Sequence, residues 1–128
     1  MIENMKILVG VDGSPSAYKA LSEAIGIAKK FSGSITVIVV HWEARKKIAE
    51  EIMERSKGLC ATESVECTAV SVIGASPARE IRNMARTGNF DLVIVGNKGL
   101  GKTASMLLGS VSREVVAIAE CNVLVVKK

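Results

Sequence analysis

The stretch DLVIVGNKGLGKT, residues 91–103, holds residue types and spacings able to bind phosphate. Gly96 and Gly101-Lys102-Thr103 satisfy the pattern GxxxxGK[ST] directly after an apolar run, residues 92–95, that reads as a buried strand. In such a loop backbone N–H groups cradle the phosphates, Lys102 reaches the outer ones and the Thr103 hydroxyl helps to hold magnesium. The same residues fit a second spacing, Gly96, Gly99 and then Gly109-Ser110. There the two glycines let the backbone turn closely around a ribose or phosphate. Ser110 then opens a helix whose N–H groups and positive dipole end face the outer phosphates.

The two spacings make different demands on the rest of the chain. A phosphate-loop NTPase needs a helix running on from Lys102-Thr103 and an acid at the end of another strand to help hold magnesium. Downstream of Thr103 the chain offers one helix and one strand, CNVLVVKK, which ends in lysines and carries no acid. Borrowing Asp12 from KILVGVD would need an unusual topology. Gly109 would also fall within that helix, at a cost of about 1 kcal/mol relative to alanine. The wider spacing meets neither obstacle, and it makes Lys98 a better phosphate ligand than Lys102.

Two further groups could do chemistry. Asp12 ends the apolar run KILVGV and starts the turn DGSP, where an aspartate serves as turn former or cap unless a ligand lies opposite it. His41 has no acid, serine or cysteine at triad spacing and is assigned no chemistry. Cys60, Cys67 and Cys121 form no CxxC pair, which predicts reduced thiols and no zinc site.

The elements that position these residues alternate. Residues 6–11 read as a strand, and Ser14 with Pro15 caps a helix that Gly33 should stop. ITVIVV, residues 35–40, is β-branched and apolar on both faces, as in a central parallel strand. Residues 43–59 make an amphipathic helix and residues 65–73 a third strand. Ser76-Pro77 opens a third helix, with Arg79, Arg82 and Arg86 as a solvated basic stripe, and Gly88-Asn89 closes it. Residues 92–95, 110–119 and 123–126 supply a strand, a helix and a last strand. This βαβαβαβαβ order predicts an α/β fold with a doubly wound parallel sheet and right-handed crossovers. Its ligand edge lies beyond the carboxyl ends of the strands, where both Asp12 and Gly96 fall.

Composition narrows the class. A chain of 128 residues, 48% apolar and 23% charged, is sized for a single domain over residues 1–128 with its own core. No apolar run approaches membrane-spanning length, and MIENMKILVG has no cleavable leader, so a cytoplasmic protein without a membrane anchor is expected. The net charge of +4 suits an anionic ligand. One Trp, one Tyr and two Phe give no stacking platform for nucleic-acid bases, and the basic residues are spread, which argues against nucleic acid.

KILVGVDGSPSAYKAL, GASPAREI and VIVGNKGLGKTASMLLGSVSREVVAIAECNVLVV together resemble the universal stress protein family along essentially the whole chain. Gly96-x2-Gly99-x9-Gly109-Ser110 is similar to the G-2x-G-9x-G-[S/T] signature of its ATP-binding branch. The resemblance implies a Rossmann-like fold of the adenine nucleotide alpha hydrolase-like kind, with strand order 3-2-1-4-5 and helices on both faces. It places adenine against Gly10, Val11, Asp12 and Val40, the ribose and α-phosphate near Gly96, Lys98 and Gly99, and the outer phosphates near Gly109, Ser110 and Val111. ATP or AMP is the implied ligand, with Mg2+ or Mn2+ held mostly by the phosphates and no dedicated metal ligands. The connection after the second strand, HWEARKKIAEEIMERSKGLCATESVEC, departs from the family by lacking the long loop that can fold over the nucleotide.

The resulting expectation is a stress-response protein that binds ATP or AMP as a regulatory or protective homodimer with at most weak hydrolysis. The dimer would pair strand 121–126, from Cys121 to Val126, across a two-fold axis. The alternatives are a small ATPase using Lys102 and Thr103 and a nucleotide-free dimeric interaction module.

Overall fold

The computed structural model describes residues 4–98 and 108–127. Among these residues five strands and four α-helices alternate: β1 (Lys6–Gly10), α1 (Pro15–Lys30), β2 (Ser34–His41), α2 (Lys46–Thr62), β3 (Cys67–Ile73), α3 (Pro77–Thr87), β4 (Leu92–Gly96), α4 (Ser110–Ile118) and β5 (Asn122–Val126). A 3-10 turn, Glu43–Arg45, leads into α2. All four strand pairings are parallel, and the order is β3-β2-β1-β4-β5, as expected.

The side-chain period of two divides the sheet into two packed faces. Ile7 and Val9 of β1 with Val37 and Val39 of β2 meet Ala20, Leu21 and Ala24 of α1 and Ala49, Ile52 and Cys60 of α2. Leu8, Ile38, Val93 and Val95 point the other way, onto Ala78, Ile81 and Ala85 of α3 and Val115 of α4. A βαβ unit whose two strands are both covered must carry apolar residues on both faces, which is the pattern ITVIVV displays.

The helix starts follow their sequence signals. Ser14 caps α1 by accepting a 3.2 Å bond from the Ala17 N–H, and Ser76 caps α3 by accepting one of 3.3 Å from the Arg79 N–H. Such caps are each worth about 1 kcal/mol. The stops follow less closely. α1 ends at Lys30, three residues short of Gly33, and Ser32 rather than the glycine adopts the left-handed conformation, with φ 51°. A Cβ on Gly33 would stand 2.7 Å from the Met5 carbonyl oxygen, so this glycine serves the close approach of two chain segments. The second helix lies further along the chain than expected: residues 43–45 form the 3-10 turn, α2 runs on to Thr62, and β3 is confined to Cys67–Ile73.

Candidate nucleotide cleft

The site grows from the two turns that follow β1 and β4, the neighbouring strands at which the chain switches direction across the sheet. After β1, Asp12 accepts a 2.9 Å bond from the Ser14 N–H on Oδ1, and Gly13 takes φ 89°, a region costly for residues with a Cβ. This tight turn delivers Ser14 to the start of α1. Its hydroxyl also donates to the Lys98 carbonyl at 3.4 Å, so the cap of α1 is tied to the loop after β4.

Gly96 ends β4 beside the same helix. A Cβ there would come within 2.6 Å of the Ser16 carbonyl carbon and oxygen. The bare backbone that the sequence suggested for the ligand is therefore required first by the approach of α1. Buried Asn97 follows and joins four elements. Its side-chain oxygen accepts from the Ser16 hydroxyl at 3.1 Å, and its N–H donates to the Val126 carbonyl at 2.9 Å. Its carbonyl accepts from the Gly109 N–H and from the Ser112 hydroxyl at 3.2 Å. The Lys98 N–H in turn donates to the Ser16 hydroxyl at 3.3 Å.

Gly109 is extended, with φ −76° and ψ 172°, and α4 begins at Ser110 with no side-chain cap. First-turn N–H groups of a helix have no intrahelical acceptors. Here they stand at the edge of a cleft of ≈ 580 Å3 that opens at the carboxyl ends of the strands. A helix running from Lys102 through Gly109, which the phosphate-loop spacing requires, is incompatible with this extended residue.

Gly10, Val11, Asp12, Val40, Gly96, Lys98, Gly109, Ser110 and Val111 all line the cleft. Gly99, Lys102 and Thr103 lie outside the described residues. Sequence reasoning missed the apolar wall of Ile38, Val95, Pro77 and Ile81, the pair Ser14 and Ser112, and Trp42. Alternation from Val40 would have found Ile38, and the same count forward reaches Trp42. Pro77 and Ile81 come from α3, whose distance to the glycine turn only the fold sets. Gly10 leaves room for that helix, since its Cβ would meet Ile81 Cδ1 at 2.8 Å.

Lys98 is half-buried at the cleft and supplies the positive charge among the described lining residues. His41 is buried, its Nδ1 2.8 Å from the Trp42 carbonyl, and it faces a second, smaller hollow of ≈ 280 Å3 with Asp12, Arg45 and Ile52. No group of three His, Cys, Asp or Glu side chains among the described residues is arranged to hold a metal. The shifted thiols lie elsewhere. The neighbouring thiol of Cys67 and burial raise the pKa of Cys60, while Cys60 and Lys57 lower that of Cys67.

A parallel sheet in the order 3-2-1-4-5, helices on both faces and a cleft at the β1/β4 switch point define an adenine nucleotide alpha hydrolase-like protein. Residues 3–127 match the Universal stress protein family, and the chain belongs to it. It is 30% identical to universal stress protein YxiE of Bacillus subtilis strain 168, over 95% of this chain and 98% of that protein. The structure of hypothetical protein MJ0577 is 25% identical, with TM-score 0.89 over 99% of this chain and 98% of that one. A universal stress protein solved in complex with cAMP is 27% identical, with TM-score 0.83 over 98% of each chain.

Proposed function

We propose that the cleft binds an adenine nucleotide, ATP or AMP, and that the protein belongs to the ATP-binding branch of its family. The observation that carries this is the uncapped start of α4: Gly109, Ser110 and Val111 edge the cleft, and Ser110 and Val111 offer first-turn N–H groups to an anion. Lys98 adds a charge to the same end, while Val40, Ile38 and Ile81 give the other end an apolar wall suited to a base. Binding of cAMP by a relative supports the same ligand class. Gly99 is the signature position that would complete the cradle.

The cleft and the nucleotide fit on the donor set alone: backbone N–H groups, one lysine and serine hydroxyls match phosphate oxygens. Mg2+ or Mn2+ would then be held mainly by those oxygens, with the protein supplying the position of the phosphates. Asp12, in the turn after β1, would face the base and ribose. We assign no catalytic base, and the expected behaviour is nucleotide-dependent association in the cytoplasm with at most weak hydrolysis.

Calorimetric titration with ATP separates this from a phosphate-loop ATPase. Gly109→Val places a β-branched side chain at the mouth of the phosphate end. It should lower affinity about 10- to 100-fold, the scale of losing charge-assisted hydrogen bonds. Lys102→Ala should keep most of it. The opposite ranking would assign the phosphates to the loop at Lys102 and Thr103.

A further inference from the structure

The chain has one tryptophan, Trp42, and among the described residues it is the most exposed of the large apolar side chains, at 64%. Its position follows from the strand before it. Ile38, Val40 and Trp42 are successive residues of one face, because side chains of β2 alternate. With φ −79° and ψ 156°, Trp42 prolongs that extended geometry by one residue. The first two face the cleft wall, and Trp42 lines the cleft at the next step outward. Trp42 also borders the smaller hollow, so the residue lies between the two.

The backbone beneath it is fixed. The Trp42 carbonyl accepts from the Arg45 N–H at 2.9 Å and lies 2.8 Å from His41 Nδ1. The 3-10 turn Glu43–Arg45 leads directly into α2, so no long loop intervenes between the indole and the helix. An exposed indole on a fixed backbone costs water contact without gaining core packing, yet it offers a flat apolar face to a planar ligand.

We propose that Trp42 is the base-recognition residue of the cleft, stacking on the purine ring of the bound nucleotide and selecting a nucleotide over a base-free polyphosphate. This rests on the nucleotide reading above and adds to it the source of base affinity. Phosphate donors lie at Lys98 and Ser110, whereas Ile38, Val40 and Pro77 join Trp42 in bounding the cleft with apolar surface. A purine buries more ring surface on an indole than a pyrimidine does, so ATP should bind more tightly than CTP.

Wild type, Trp42→Ala and Trp42→Phe are titrated calorimetrically with ATP, CTP and inorganic tripolyphosphate, and ATP binding is also followed by the fluorescence of the lone tryptophan. Trp42→Ala should weaken ATP about tenfold, the scale of losing one base–aromatic stack. Tripolyphosphate should be unaffected, Trp42→Phe should recover most of the ATP affinity, and ATP should change wild-type fluorescence with the calorimetric Kd. ATP binding equally well to Trp42→Ala, or tripolyphosphate weakening in step with ATP, would overturn the stack and leave the nucleotide cleft standing. Wild type giving no ATP binding at all would overturn the cleft assignment itself, and the stack with it.

Discussion

At Gly96 a single missing side chain holds two functions apart. The residue is a member of the glycine pattern and also the point at which β4 meets the first turn of α1, with the Ser16 carbonyl oxygen 2.6 Å from where a Cβ would be. A methyl group there must displace backbone, and overpacking of this kind costs about 1–3 kcal/mol. Gly96→Ala is therefore expected to lower the urea midpoint measurably, with the m-value unchanged. A wild-type midpoint would show that α1 yields freely and that the glycine serves the ligand alone. Gly10 differs in degree, because its neighbour is the tip of Ile81, the flexible end of a side chain.

Among elements, the start of α4 depends on β4 more than on its own sequence. No side chain caps the helix, and the fastening comes from Ser112, whose buried hydroxyl donates to the carbonyls of Asn97 at 3.2 Å and Gly109 at 3.1 Å. Asn97 fixes the other end of that link through the Ser16 hydroxyl and the Val126 carbonyl, so α1, β4, α4 and β5 meet at one residue. Removing the Ser112 hydroxyl should leave the sheet intact and loosen the first turn of α4, at about 1 kcal/mol for the bonds lost. Ser112→Ala is expected to speed amide exchange in the first turns of α4 roughly fivefold, with α1 and β1 unaffected. Equal acceleration everywhere would mean that the hydroxyl supports the whole fold rather than the helix start.

For the whole molecule the exposed edge of the sheet bears on assembly. β5 is an edge strand, and such an edge invites pairing unless it is covered. Val123 and Val125 already pack against the core beside α3 and α4, whereas Leu124, on the opposite face, is 36% exposed. If the chain pairs with a second copy along β5, Leu124, rather than the two valines, would be the apolar side chain buried in that contact. Sedimentation equilibrium at micromolar concentration should give a dimer for wild type, and Leu124→Glu should shift it toward monomer without unfolding it. A wild-type monomer, or a dimer indifferent to Leu124→Glu, would remove β5 as the interface.

Element order, the two-faced apolar character of β2 and the serine caps of α1 and α3 were legible in the residues before any folding. Each depends on neighbours within a few residues and on the periods of helix and strand. Resemblance to the family supplied the strand order, which local patterning could not fix because it depends on pairing between distant segments. The glycine turn and DGSP could be placed on one sheet edge from their positions at strand ends. Tertiary structure alone decided that Gly33 and Gly96 are bare for chain crossings, that Ser32 takes the left-handed position, and that Asn97 joins four elements. It also brought Pro77 and Ile81 of α3 to the cleft and set Trp42 at its rim, since these contacts arise only when crossovers bring together segments far apart along the chain.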